Sequence, residues 1–329
     1  MTTRSRHLQE APLDEPLEDL PLFSYQTTSG VSGSEMPTSL KFDSSLSAAI
    51  NAWGEALEAQ GRSIHTVKAF TGDMRLVGKF VGTGQPINLI STSDLKNFLD
   101  WMLNRRGVSC SPKTYARRIT SIKAFYRWLI ETNILQEDSA APIPQQSVIS
   151  PLPEVLTEEE VAAVVKIAES MRTGSDPDAR TYTLLKLLLD TGIKKGECLN
   201  IHLNHIDLNS VDGAILFIRY GSPSKRYKER KLELSPAWIE AYQEYIKQYE
   251  PANQLFPWSP RRLEYLLEDV GKAAGVDKHL SFEMCRWTAV LIDYLNGLDH
   301  DRIRQKLGIS KIQWREVGNK LHRLAEQNA

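Results

Sequence analysis

Cysteine is scarce and scattered in this chain: Cys110, Cys198 and Cys285 are the three in 329 residues, and no CxxC pair occurs. An odd number at such spacing argues against a disulfide framework and against a cysteine-based zinc site, so reduced thiols in a cytosol are expected. Long apolar runs are missing as well. No stretch approaches the ~20 residues of a membrane span, and the N-terminus lacks the apolar core of a secretion signal. The expectation is a cytoplasmic protein with no membrane contact, no metal and no cofactor. An overall basic excess is lacking too, since the net charge is −1. Residues 1–40, however, hold two arginines against six acids, so the remainder carries about +3 and its basic residues cluster. For nucleic-acid binding, distribution matters more than the sum.

What is present is a soluble composition, 41% hydrophobic and 25% charged, long enough for two domains with cores of their own. Residues 1–42 are rich in Pro, Ser, Thr, Gly and acids and cannot bury enough apolar surface to offset their ordering entropy, so a disordered acidic tail is expected. It serves either as a solubilising tail or, around residues 17–23, as a short acidic-apolar docking peptide.

Residues 43–135 read as helical throughout. Leu46, Ile50, Trp53 and Leu57 form one stripe that closes at Gly61, and Val67, Phe70, Met74, Val77 and Phe80 form a second. A third helix has Ser91 or Ser93 as its cap and Gly107 as its stop. In the fourth, Ser111 caps and Pro112 takes the first turn. On a helical wheel Tyr115, Ile119, Ile122, Tyr126 and Leu129 share one sector. Lys113, Arg117 and Arg127 gather opposite, with Thr120, Ser121 and Ala124 between them. Seven Lys or Arg and one acid lie between Arg105 and Glu131. Arg105, Arg106, Lys113, Arg117 and Arg127 are therefore candidate phosphate contacts, with a solvated basic face as the plain alternative.

Residues 136–153 are proline-rich and aperiodic, as a semi-extended linker would be. In residues 154–329, Thr157 caps a helix opened by three glutamates. A nearly all-apolar helix over 178–190 follows, then a short helix near Glu197. Two strands, 214–220 and 230–235, flank a basic loop carrying Lys225 and Arg226. Ser235-Pro236 and Ser259-Pro260 start two more helices, and Gly297 and Gly308 punctuate the C-terminal region. The fold class expected is mainly α with a small β-hairpin or sheet, in two domains.

The run LLLDTGIKKGECLNIHLNHIDL resembles a segment of the tyrosine recombinases, the phage-integrase and Xer-like family. Thr191, Gly192, Glu197, Leu199, Ile206 and Asp207 fit its pattern, while Lys194 stands at the catalytic arginine position. Lys228, Arg230, Leu232 and Leu234 resemble the family's hairpin, which puts Lys228 in the place of the general-acid lysine; Lys225 competes for it. The His-x-x-Arg box falls on Glu283 to Arg286, keeping the arginine and losing the histidine. The Leu-Gly-His box falls on Leu307, Gly308 and Ile309. The nucleophilic tyrosine position lands on Gly318, and no tyrosine follows Tyr294.

The resemblance covers roughly residues 44–323 and implies a helical core-binding domain joined to a catalytic-type domain in a DNA clamp. It also implies a reaction in which a tyrosine attacks a DNA phosphodiester while two guanidinium groups hold the phosphate. Without a nucleophile that covalent step is absent rather than weakened. Lys194, Lys228 and Arg286 are then retained basic positions, either vestigial or phosphate-contacting; Arg286 is alternatively a structural arginine paired with Glu283 or Glu197. Trp287 and Trp314 are expected in the core. The expected function is a DNA-binding, catalytically inactive accessory or regulatory factor in recombination or integration, located with the nucleoid. Its expected partners are double-stranded DNA and a second copy or an active recombinase. Two alternatives stand beside it: an active recombinase using a tyrosine from another protomer or Ser310, and an interaction scaffold without DNA binding.

Overall fold

The computed structural model describes residues 40–145, 151–211 and 213–328. Residues 1–39, most of the segment expected to be an acidic tail, lie outside the described residues. The chain divides into two units, Met1–Ser150 and Pro151–Ala329.

The first unit contains α1 (Leu46–Ala59), α2 (Ile64–Val81), α3 (Thr92–Asn104) and α4 (Pro112–Glu131). Each begins at a serine, Ser45, Ser63, Ser91 or Ser111, whose hydroxyl accepts from a backbone N–H one turn on. That bond satisfies a donor which the helix itself cannot, and it fixes each start locally. The apolar stripes meet in one core in which Trp53 packs edge-on against Phe125 at 5.3 Å, with Phe98, Tyr126 and Leu129 fully buried. The start of the segment expected as linker is part of this core. Ala140 and Ile143 are buried, and the Lys123 amine donates to the carbonyls of Ala140, Ala141 and Ile143 at 3.2, 3.2 and 2.5 Å. Proline-rich composition signalled an extended path but not that a half-buried lysine would strap it down.

The second unit contains α5 (Glu158–Thr173), α6 (Ala179–Thr191) and α7 (Lys195–Leu199), then β1 (Ile206–Asp207), β2 (Ile215–Ile218) and β3 (Arg230–Glu233). After these come α8 (Pro236–Tyr249), α9 (Pro260–Ala273), α10 (Phe282–Leu295), α11 (His300–Leu307) and α12 (Lys311–Asn328). The sheet is antiparallel in the order β1-β2-β3, with Phe217 opposite Lys231. The two-residue β1 was not legible, because two residues show no alternation. Between β2 and β3 a 3-10 turn spans Pro223–Lys228. Helix α6 is buried on nearly every side, as Leu184, Leu185, Leu187 and Leu188 require. A second apolar cluster under α10, α11 and α12 holds Trp287, Leu291, Ile303, Leu307, Leu321 and Leu324.

Candidate functional site

Four segments that resembled recombinase motifs meet around one buried carboxylate. Helix α6 ends at Gly192, whose left-handed backbone (φ 61) lets the chain turn sharply into Lys194 and α7. The Lys194 backbone N–H donates to Glu197 Oε2 at 2.9 Å. Glu197 is buried, and Arg230 from β3 takes both of its oxygens, Nη1 to Oε1 at 2.9 Å and Nη2 to Oε2 at 2.8 Å. The Tyr220 hydroxyl donates to the same carboxylate. Burial pushes the Glu197 pKa up, but the hydrogen bonds and charge of Arg230, the field of Arg286 and the Tyr220 hydroxyl outweigh it and hold it at about 2. Glu197 is thus ionised and saturated with donors, so it is a poor proton acceptor at neutral pH.

The two arginines extend this network into the C-terminal boxes. Arg230 Nε donates to the Lys306 carbonyl at 2.6 Å and its Nη1 to the Lys228 carbonyl at 3.2 Å. Arg286, on α10, donates to the Gly192 carbonyl at 2.5 Å and to the Leu307 carbonyl at 3.2 Å. Arg286 is thus engaged with two backbone carbonyls, as a structural arginine would be. Its charge also lowers the Glu197 pKa, and Glu283 is exposed on the first turn of α10. Gly308 is required where it sits: its φ is +61, and a Cβ there would come within 2.6 Å of Arg230 Nη1 and 3.2 Å of the Lys228 carbonyl.

Lys228 is not on an open loop as the local run of basic residues suggested. It is 7% exposed, with its amine 5.6 Å from the Tyr227 ring centroid, while Lys225 and Arg226 on the same turn are exposed. That burial is a tertiary property which composition does not carry. Ile309 is buried in the α10–α12 cluster, as are Trp287 and, in part, Trp314. Gly318 lies inside α12, where an added Cβ would sit 3.5 Å from the Trp314 ring. Tyr294 stacks on His300 at 5.4 Å and 12°. Ser310 serves as a cap for α12, since its Oγ accepts from the Gln313 N–H at 3.2 Å and its own N–H donates to Gln313 Oε1 at 3.0 Å.

In the first unit the basic residues of α4 divide. Arg117 does not point to solvent: its Nη1 donates to Asp73 Oδ2 at 2.5 Å, and Ser121 Oγ donates to the same oxygen at 2.7 Å. Arg118 adds a bond to Asp73 Oδ1 at 3.3 Å. The small residues on that face admit α2, which carries Asp73, so this part of the expected DNA face is a helix–helix contact. Burial raises the Asp73 pKa against the pull of Arg117, Ser121 and Arg118. Lys113 and Arg127 are exposed, Arg106 is half-buried, and Arg105 is exposed with an ion pair to Asp100 at 2.7 Å.

Arg230 and Tyr220 are the residues that sequence reasoning passed over as site members. The Lys-x-Arg spacing pointed at Arg230; only the hairpin fold could bring Tyr220 to Glu197.

A helical unit followed by a mixed α and β unit, with Glu197, Arg230 and Arg286 in one network, sets the class of fold to compare. Residues 154–315 match the Phage integrase family, and residues 50–133 match the Phage integrase N-terminal SAM-like domain. The chain belongs to the phage integrase family of tyrosine recombinases. Among individual proteins, it is 26% identical over 300 residues to the tyrosine recombinase XerC of Corynebacterium glutamicum, covering 88% of this chain and 90% of that protein. It is 30% identical over 165 residues to XerC of Mycobacterium bovis, covering 49% of this chain; the match spans about half, 54%, of that relative's length. Two solved structures share the fold: XerH bound to a palindromic difH substrate, with a TM-score of 0.64, 17% identity and 85% and 83% of the two chains covered, and a lambda integrase dimer bound to a COC′ core site, with a TM-score of 0.64, 13% identity and 83% and 76% covered. Among the described residues no helix is long and apolar enough to cross a membrane.

Proposed function

We propose that this protein binds double-stranded DNA through a tyrosine-recombinase frame without cleaving it, and acts in recombination or integration as an accessory or regulatory factor beside a second copy or a cleaving partner. On this reading it works in the cytoplasm, at the nucleoid. One observation carries the proposal: the position of the attacking tyrosine falls on Gly318, inside α12, where there is no hydroxyl. Phosphodiester transfer through the enzyme needs a group that forms the covalent bond, and the remaining basic residues cannot replace it. Lys194 keeps a charge where an arginine's planar fork would hold two phosphate oxygens, so it orients a phosphate less well. Glu283 sets a carboxylate where a donor would be needed. Ser310 is engaged as a helix cap. The remaining cations, Lys194, Lys228, Arg286 and the exposed Lys225 and Arg226, then serve to hold phosphate rather than to turn it over.

The experiment combines duplex binding with covalent trapping on one nicked substrate. The expected result is binding that falls steeply with salt and no protein–DNA adduct. An adduct would refute the proposal, and peptide mapping would show whether a tyrosine from a partner or another side chain formed it. Absence of binding to any duplex at low salt would leave an interaction scaffold as the better account.

A further inference from the structure

A groove in the first unit, about 240 Å³ in volume, lies between α3, α4 and the returning segment, with Leu99, Tyr115, Ile119 and Ile143 in its wall. Lys96 and Asp100 form its polar edge, and Asp100 holds Arg105 at the rim. Leu103, also in the lining, is 51% exposed, and Val108 just beyond α3 is 57% exposed. Apolar surface of this kind beside cations suits an extended acidic-apolar peptide. The chain carries one: residues 14–23 read DEPLEDLPLF, with four acids, three leucines and a phenylalanine.

We propose that residues 17–23 dock into this groove of their own first unit, with the neighbouring acids facing Lys96 and Arg105. Three observations commit the groove to this occupant. The described chain begins at Leu40, which packs against the core of the same unit, so the tail starts from this domain. Sixteen residues separate Phe23 from Leu40; extended, they reach roughly 55 Å, more than the ~30 Å of a small domain. The charges are complementary at two points, since acids flank the leucines while Lys96 lines the groove and Arg105 stands at its rim beside Asp100. Pro16 and Pro21 disfavour a helix and suit an extended segment. Docking places acids beside Arg105, which the sequence pattern offers as a phosphate contact, so the tail competes with phosphate. That consequence rests on the proposed DNA binding; the docking itself does not.

The test uses the full chain with a benzoyl-phenylalanine photo-crosslinker at Phe23. The expected product is an intramolecular crosslink mapping to α3 or α4 at the groove, lost when Leu103→Glu places a charge on an already exposed wall residue. Crosslinks elsewhere, a covalent dimer showing a second copy as acceptor, or no crosslink would each overturn the docking. In a second arm, Leu20→Glu/Leu22→Glu/Phe23→Glu is expected to tighten duplex binding several-fold at low salt. Unchanged affinity with the groove crosslink intact would overturn the competition and leave the docking standing; loss of all DNA binding would fall on the proposed function alone.

Discussion

Arg230 grips both carboxylate oxygens of Glu197, at 2.9 and 2.8 Å, and each partner is nearly excluded from water, with side chains 8% and 3% exposed. The two residues come from separate motifs, so this pair ties the hairpin to the segment after α6. Removing one partner leaves the other charge buried. Arg230→Met is expected to destabilise the second unit by about 3–5 kcal/mol, as measured by urea unfolding. Adding Glu197→Leu to that variant should recover part of the loss. A double variant as unstable as the sum of the two single ones would contradict the coupling.

The same pair sets an acid limit. Glu197 is held at about 2 in the folded protein, against 4.5 as its ordinary value. A depressed carboxyl contributes stability that is fully present above the unfolded value and is lost as pH falls through the folded one. Between about pH 4.5 and 2 the unfolded state therefore takes up a proton that the folded state does not, which adds a slope of about 1.4 kcal/mol per pH unit. Denaturation of wild type and Glu197→Gln across this window should show a shallower pH dependence in the variant.

Gly308 is predicted to be intolerant of even a methyl group. Its backbone is left-handed and a Cβ would meet Arg230 and the Lys228 carbonyl, whereas Gly61, at φ +72, has nothing within 4 Å. Gly61→Ala should cost about 1 kcal/mol, and Gly308→Ala clearly more, because the Arg230 fork must also shift. Thermal melts of the two variants decide it; equal losses would mean that Arg230 yields freely.

The basic residues separate into two phenotypes. Lys225→Ala/Arg226→Ala is expected to leave stability unchanged and to reduce the salt slope of duplex binding by up to ~2, since each phosphate contact contributes ~0.9. Arg117→Ala is expected to do the reverse, destabilising the first unit by leaving buried Asp73 with only Arg118 and Ser121 as partners while the salt slope stays as it was. Fluorescence anisotropy against salt, paired with denaturation, reads both.

The sequence by itself determined the helices of both units, the family resemblance and the absence of any tyrosine after Tyr294. Every α-helix start but that of α7, which follows Lys194, lies at a serine, threonine or aspartate, and the bonds that fix them span two or three residues, so Ser111-Pro112 or Thr157 reads directly from the chain. A missing tyrosine is likewise visible without coordinates. Tertiary structure decided where the charges go. Arg117 turns to Asp73, 44 residues away, and Arg230 to Glu197, 33 residues away. Lys228 is buried while Lys225 on the same turn is exposed, and residues 140–143 are strapped by Lys123. An arginine on a helical wheel has the same polarity whether it meets water, phosphate or a buried carboxylate. Only the packing of another helix or strand against it removes water and selects the partner, and that selection is a property of the assembled fold.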